Sequence, residues 1–531
     1  MFLFTHPRAR YFDINLFLLL IALTIRILIA WIEMPSLVAI VPDDAFYYFA
    51  IARNIIENNG ITFDGSNWTN GFHPLWLGII VPLFAISVGD PFLPIHLTLS
   101  IAALLDCLTG WVIGFLVYQL TRDKLSAFVA SFFYVLNPGV IIESLNGLET
   151  ALNTFVLAFV FSIYLRCLKN GKLASGTLGW LALGIGFGLA VLARTDNVVL
   201  VAAMLSGLMV KDHTRANLGY LFRVAMVTTL LFLPWLMWNQ LQFGSILQSS
   251  GEAFPYAIRT SFYANRSFSL IDDLMIGMVW LFKWALEYIP FYYFLRQSEW
   301  GIIYDGLFIG GLALCVLARN SHTRQWRSAL SCLHFPALGM MFLFLIHALV
   351  RWYPRSWYFM PLVFFVAIAI GITFAYVTRA LTNKMTYRVS LTAVLCFLIG
   401  VSFLLHGIRY WERYPWQREM FLAGNWLQEN LAAEKAGAFN AGIVGYIAHN
   451  RVINLDGVIN SNAYSAIRTK SLAHYIEQEK IKVIVDFSHS VNLYRLFMGQ
   501  PIELEPIWSW HIAPEPASNT HLTIFSLSFP N

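Results

Sequence analysis

The sequence predicts a polytopic α-helical membrane protein that carries a small α/β domain at its C-terminal end. Three observations lead there. Apolar residues make up 58% of the 531 residues and charged ones only 12%, against roughly 25% charged in an average soluble domain. The mean hydropathy of +0.62 holds over the whole length, which a single anchor helix does not produce. Apolar runs near the ~20 residues that cross a bilayer recur up to residue 408 and then stop. A soluble enzyme, a disordered chain and a disulfide scaffold are excluded by this composition. The net charge of +5 comes without the basic patch that nucleic acid requires, so membrane lipids are expected partners and nucleic acid is not. The five cysteines sit in or beside apolar runs without metal-ligand spacing and read as buried thiols.

Eleven stretches qualify as spans: 14–34, 92–120, 125–142, 150–168, 175–193, 197–210, 218–241, 300–318, 328–350, 356–377 and 389–408. The 197–210 run is short, as a tilted or distorted helix would be. The first run is long and lacks a small-residue cleavage site, so it reads as a retained helix rather than a signal peptide. Basic clusters at Arg8/Arg10, Arg122/Lys124, Arg166/Lys169/Lys172, Lys211/Arg215, Arg319/Arg324/Arg327 and Arg379/Lys384/Arg388 are separated by pairs of spans. The positive-inside rule therefore places all of them in the cytoplasm with the N-terminus.

The opposite side, periplasmic or extracellular, then receives 35–91, 143–149, 194–196, 242–299, 351–355 and everything after 408. Stretch 74–88 does not fit as a span, because a crossing there would flip every later cluster. Stretch 271–295 carries Asp272, Asp273, Lys283 and Glu287. Both are expected as amphipathic helices at the interface. The chain thus divides into a membrane domain, 1–408, with a first exported loop 35–91, and an exported domain, 409–531. In the latter, strand-length runs at 438–442, 451–457, 482–487 and 521–528 alternate with a helical pattern at 471–481, which predicts a small α/β fold.

The densest polar signal is Asp43 and Asp44, directly after the first span and before an aromatic amphipathic helix. One aspartate suffices to cap that helix; the second points to catalysis or metal binding. His73 follows in a tight loop, 67–76, where capping a turn is the alternative role. Glu149 in NGLET, and Arg194 with Asp196 in ARTDN, fall on the same side, as do Arg351 and Arg355 among Trp352, Tyr353, Trp357 and Tyr358.

Arg194, Arg351 and Arg355 occupy short loops where the positive-inside rule expects few basic residues. That break suggests an anion, and the arginine fork suits phosphate. Aromatics that stack on sugars, arginines for a phosphate and a carboxylate to take a hydroxyl proton form the set that a lipid-linked phosphosugar needs. His73, Glu149 and Asp196 are the further substrate-binding candidates. Two adjacent carboxylates need a cation nearby: either an arginine, or a divalent ion (Mg or Mn) held by Asp43, Asp44 and Glu149. A lipid or solute transporter is the rival reading, but it would place charge near the bilayer midplane and repeat its halves. A sensor whose tail binds a ligand through NLDG, 454–457, is a second rival.

On DDAFYYF (43–49), NGFHPLW, NGLET, ARTDN and AGIVGYIAHNRVINLDGVIN (441–460), the chain resembles the GT-C superfamily of integral-membrane glycosyltransferases. The acidic first loop is similar to that of protein O-mannosyltransferases, lipid A aminoarabinose transferases and oligosaccharyltransferase. The combination with a soluble tail looks more like the mycobacterial arabinofuranosyltransferase branch. The resemblance implies a GT-C fold, a polyprenyl-phosphate-linked sugar donor and inverting hexosyl or pentosyl transfer. It also implies an acceptor hydroxyl on a glycan, lipid or protein, an active site facing the periplasm, and a first-loop aspartate as base. That aspartate is Asp43 or Asp44, with Asp43 aligning with the O-mannosyltransferase acid. Two departures bear on the acceptor. There is no WWDYG-type motif, which argues against transfer to asparagine, and the second acid is Asp rather than Glu.

The eleven-span reading makes a direct prediction. Reporter fusions after residues 60 and 450 should both read as exported, and a cytoplasmic signal at 450 breaks the span count.

Overall fold

The computed structural model describes residues 9–170, 177–212, 214–262, 271–272, 274–277, 288, 321–350, 355–382, 384–431, 434–449, 451–509 and 521–529. Six of its helices are long and apolar enough to cross a bilayer: Leu93–Thr121, Thr150–Leu168, Asn217–Phe243, Trp326–Leu349, Ser356–Leu381 and Met385–Ile408. A seventh is possible if the bent pair Lys124–Val135 and Pro138–Ser144 is one span. Ala9–Ala30, Thr177–Ala193 and Val198–Lys211 are helical over three further expected spans. The expected span 300–318 lies outside the described residues, as does most of 271–295. Apolar side chains such as Phe17, Phe222, Phe397 and Leu404 are more than half exposed on these helices, as surfaces facing hydrocarbon rather than water must be. The chain is a polytopic membrane protein.

The stretch 125–142 was expected as one helix. It bends by 58° between Val135 and Pro138. Proline disfavours the helical conformation of the residue before it. Asn137 instead starts a new helix, its side chain accepting from the Gly139 amide at 3.0 Å. Within the bundle, Arg26 and Asp106 form a fully buried ion pair of 2.7 Å. The Tyr134 hydroxyl donates to the same carboxylate at 2.8 Å, and the Arg26 guanidinium also donates to the Val135 carbonyl at 2.8 Å. This ties the first helix, the long Leu93–Thr121 helix and the helix before the bend into one unit.

Between the helix Ala9–Ala30 and the helix Leu93–Thr121 lie the helix Asp43–Ile56 and the helix Pro74–Ile86. The latter has 13 residues, about 20 Å at 1.5 Å per residue, short of the ~30 Å hydrocarbon layer. The former is nearly enclosed: Ala45 to Ala52 are all buried.

The C-terminal part opens with the helix Gln417–Asn430 and builds a five-stranded sheet of order β2-β1-β3-β5-β4. The strands are β1 (Lys435–Ala438), β2 (Val452–Asn454), β3 (Ile481–Phe487), β4 (Glu503–Ser509) and β5 (Leu522–Ser528). β1 pairs in parallel with β2 and β3, while β5 runs antiparallel between β3 and β4. The expected strand at 438–442 is displaced: β1 runs Lys435–Ala438, and the chain leaves the sheet at 439–441 to begin the helix Gly442–Ile447. β4 was not expected; its side chains are almost all exposed, so it lacks the apolar alternation that marks a strand.

The Arg26–Asp106 pair yields a stability prediction. Removing one partner of a buried pair leaves an uncompensated charge and costs about 3–5 kcal/mol, whereas an apolar pair of similar volume is often neutral. Asp106→Leu should lower the melting temperature of the purified protein, and the double variant Arg26→Met/Asp106→Leu should recover most of the loss.

Candidate active site

Asp43 and Asp44 begin their helix together and part company at once. The Asp43 carboxylate turns to the C-terminal domain and accepts from the amides of Ile443 and Gly442 at 2.6 and 3.1 Å. Gly442 is required there, because a Cβ would collide with the Asp43 backbone oxygen. One turn on, the Tyr47 hydroxyl accepts from the Ala441 amide at 3.2 Å. Two turns further, Arg53 donates to the Tyr446 carbonyl at 2.8 Å and lies over that ring at 4.5 Å. Asp44 makes no such commitment. It is reached by solvent, although enough protein surrounds it for burial to act on its carboxyl. Arg355 and Glu149 are the charges that act on it.

Glu149 is buried in a connected network. It accepts from Arg194 at 2.8 Å and from the Tyr48 hydroxyl at 3.0 Å, and stands 3.6 Å from His73 Nε2. Arg194 grips Asp196 with two further N–H groups, at 3.1 and 2.9 Å, and packs on the Tyr358 ring at 4.1 Å. Asp196 is also 3.4 Å from His347. The backbone around it is equally fixed. Gly147 of NGLET has φ +73, and its carbonyl accepts from the Trp76 indole at 2.9 Å. The His73 amide donates to Tyr48 at 2.8 Å. The expected motifs of the first loop, NGLET and ARTDN therefore meet at one place.

The arginines differ in what they are free to do. Three of the N–H groups of Arg194 are committed to carboxylates. Arg355 is exposed and rests near the Phe254 ring at 5.9 Å. Arg351 lies outside the described residues. His73 retains one buried nitrogen, Nδ1, without a hydrogen-bond partner among the described residues. Also among the described residues, no three or more His, Cys, Asp or Glu side chains gather as metal ligands do. Asp43, Asp44 and Glu149 do not converge, since Asp43 is held by amides and Glu149 by Arg194 and Tyr48.

One acid was missed. Asp456 of NLDG, a motif set aside with the sensor reading, accepts from the Val458 amide at 2.8 Å and is close enough to Asp43 and Asp44 to feel both charges. Nothing local in the sequence marks it, because the proximity arises only when the tail docks on the first loop. Burial pushes the Asp456 carboxyl up to about 8, with the Val458 amide opposing and Asp44 and Asp43 adding. Burial likewise pushes Asp43 up to about 7 against the pull of the Ile443 amide. Asp44 is raised by burial, with Arg355 pulling it down and Glu149 pushing it up. Burial lowers the His73 imidazole, with Glu149 opposing, which favours its neutral form.

These shifts set the pH response. Asp43 and Asp456 bind a proton more tightly when folded than at the unfolded value of 3.8. The folded state then holds more protons than the unfolded one, so stability falls with rising pH. Their contribution is complete below about pH 4 and is lost as pH rises through about 7 and about 8. Melting temperature should drop between about pH 5 and about pH 8, and Asp43→Asn should flatten that slope.

Residues 407–525 match a family model described as a domain of unknown function, DUF8728. No curated protein matches the chain in sequence. In structure, the chain is similar to ArnT from Cupriavidus metallidurans bound to undecaprenyl phosphate, with a TM-score of 0.56 and 11% identity over 98% of this chain and 97% of that one. It is similar also to the Archaeoglobus fulgidus oligosaccharyltransferase solved with zinc and sulfate, with a TM-score of 0.51 and 15% identity over 90% of this chain and 68% of that one. At these identities the likeness is one of fold alone, over nearly the whole chain in the first case.

Proposed function

We propose that the protein is an inverting glycosyltransferase that moves a hexosyl or pentosyl group from a polyprenyl-phosphate-linked donor to an acceptor hydroxyl on the exported face of the membrane. The observation that carries this reading is Asp44: a solvent-reached carboxylate that feels the charge of Arg355, an arginine with no carboxylate partner among the described residues, beside the Glu149 network where the loop motifs meet. The reading's support is the likeness in fold to ArnT, solved with undecaprenyl phosphate, and to an oligosaccharyltransferase.

The acceptor hydroxyl gives its proton to the Asp44 carboxylate as its oxygen attacks the anomeric carbon. The bond from that carbon to the donor phosphate breaks, and the polyprenyl phosphate leaves as an anion beside Arg355, with Arg351 a second candidate from the same loop. A raised carboxyl pKa suits this task, because a base is most effective with a pKa near the working pH. Arg194 acts by position, holding Glu149 and Asp196 in place. His73, neutral and with Nδ1 unpartnered, is the substrate-binding group of the loop. Asp43 is the positioning residue of the pair, because its oxygens are occupied by the Gly442 and Ile443 amides.

Two variant series test this reading. Asp44→Asn should reduce transfer by about 100- to 10,000-fold, the usual loss of a general base, with melting behaviour unchanged. Asp43→Asn should act mainly on stability. For the phosphate role, Arg355→Lys should weaken donor binding nearly as much as Arg355→Ala, because a bidentate grip needs the planar fork. Wild-type turnover in Asp44→Asn overturns the base assignment. Wild-type donor affinity in Arg355→Lys reduces Arg355 to a charge at the headgroups.

A further inference from the structure

A second cavity, of about 500 Å³, lies between the end of the helix Arg215–Phe243 and the helix Ser461–Thr469 of the C-terminal domain. This is within the about 300–1,000 Å³ range of small-ligand sites. We propose that it binds the carbohydrate portion of the acceptor, as a neutral hexose- or pentose-containing glycan. This inference rests on the transferase reading above.

The chemistry of the walls selects a neutral polyol. Tyr464 offers a half-buried ring, packed edge-on by Tyr256 at 6.2 Å. An aromatic face of this kind suits the apolar side of a sugar ring. Arg468 lies 5.9 Å from that ring, and Glu252 stands in the same cavity, where its carboxylate accepts from the Ser245 hydroxyl at 2.9 Å. Both charges act on the Tyr464 hydroxyl, with opposite sign. The cavity therefore offers a charged donor and a charged acceptor, with no net charge to hold an anion or a cation. Sugar hydroxyls donate and accept at once and match both. A phosphate would meet the Glu252 carboxylate.

The location links this cavity to the reacting groups. Ser249 on its wall donates to the Val458 carbonyl at 2.8 Å, and the amide of the same Val458 donates to Asp456. The segment 456–458 thus touches a wall residue of the cavity at one end and carries Asp456, close to Asp43 and Asp44, at the other. Ile246 and Leu247 beside it are more than half exposed, which puts the cavity at an apolar edge of the molecule, where an acceptor held at the membrane would arrive.

The test uses the full-length protein in detergent and saturation-transfer NMR with 1,6-mannobiose, lactose and arabinobiose as probes. At least one should bind. Tyr464→Ala and Arg468→Ala should each weaken it by about tenfold or more, while Tyr464→Phe, which keeps the ring, should retain most of the binding. Arg468 is exposed, so its variant keeps the test open should Tyr464→Ala misfold. Asp44→Asn should leave saccharide binding intact, which separates this proposal from the transferase reading: loss of transfer with retained binding supports both. Absence of binding by all three probes, or binding untouched in Tyr464→Ala and Arg468→Ala, overturns the glycan site.

Discussion

The contact on which the rest depends is the Asp43 carboxylate on the amides of Gly442 and Ile443. Two backbone donors meet one carboxyl group there, and they join segments 400 residues apart. Because Asp43 opens its helix, anchoring it fixes where the next residue stands. Asp44 is therefore positioned from two sides, by the membrane bundle behind its helix and by the soluble domain in front. Tyr47 and Arg53 add contacts to the same domain further along the helix, the first accepting from the Ala441 amide and the second donating to the Tyr446 carbonyl.

Around this anchor the electrostatics divide into closed and open groups. Glu149, Arg194 and Asp196 form a buried set whose members satisfy one another. Such a set tolerates burial only when it is complete, because removing one member leaves a charge that cannot be hydrated. Its purpose is rigidity: it binds NGLET, ARTDN and the Tyr48 hydroxyl into one wall. Asp44 and Arg355 remain outside it, reached by solvent. A site needs both kinds, since free groups are useful only if the wall that carries them does not move.

The bundle was largely legible because hydropathy is a local signal, and each helix is apolar over its own length. The motifs were legible as residues out of place: paired acids, and arginines on the wrong side. Positions that depend on tertiary meeting were not. Arg26 and Asp106 are single charges in separate apolar runs, and their pairing across 80 residues has no local mark. Asp456 in NLDG reads as a turn in isolation. The bend at Asn137 was present in the sequence as Asn-Pro, but continuous apolarity on both sides masked it. The two aspartates illustrate the limit best. Sequence favoured Asp43 by alignment with related acids, whereas the fold fills Asp43 with backbone amides and leaves Asp44 open. Adjacent identical residues differ only in which face of the helix they occupy, and that depends on what the helix meets.

The division of labour between the two parts of the molecule follows from the solvent each part faces. In hydrocarbon every backbone N–H must be satisfied within its own helix, so a transmembrane segment has no amides to lend. The carboxylate at the mouth of the bundle needs such donors if its neighbour is to stay open. The first two amides of the helix Gly442–Ile447 in the C-terminal domain supply them. The same domain brings Asp456 close to Asp43 and Asp44 through the loop after β2. A membrane bundle alone would present the two aspartates as an unsupported pair of like charges. With the domain seated, one becomes a structural acceptor and the other stays open to solvent.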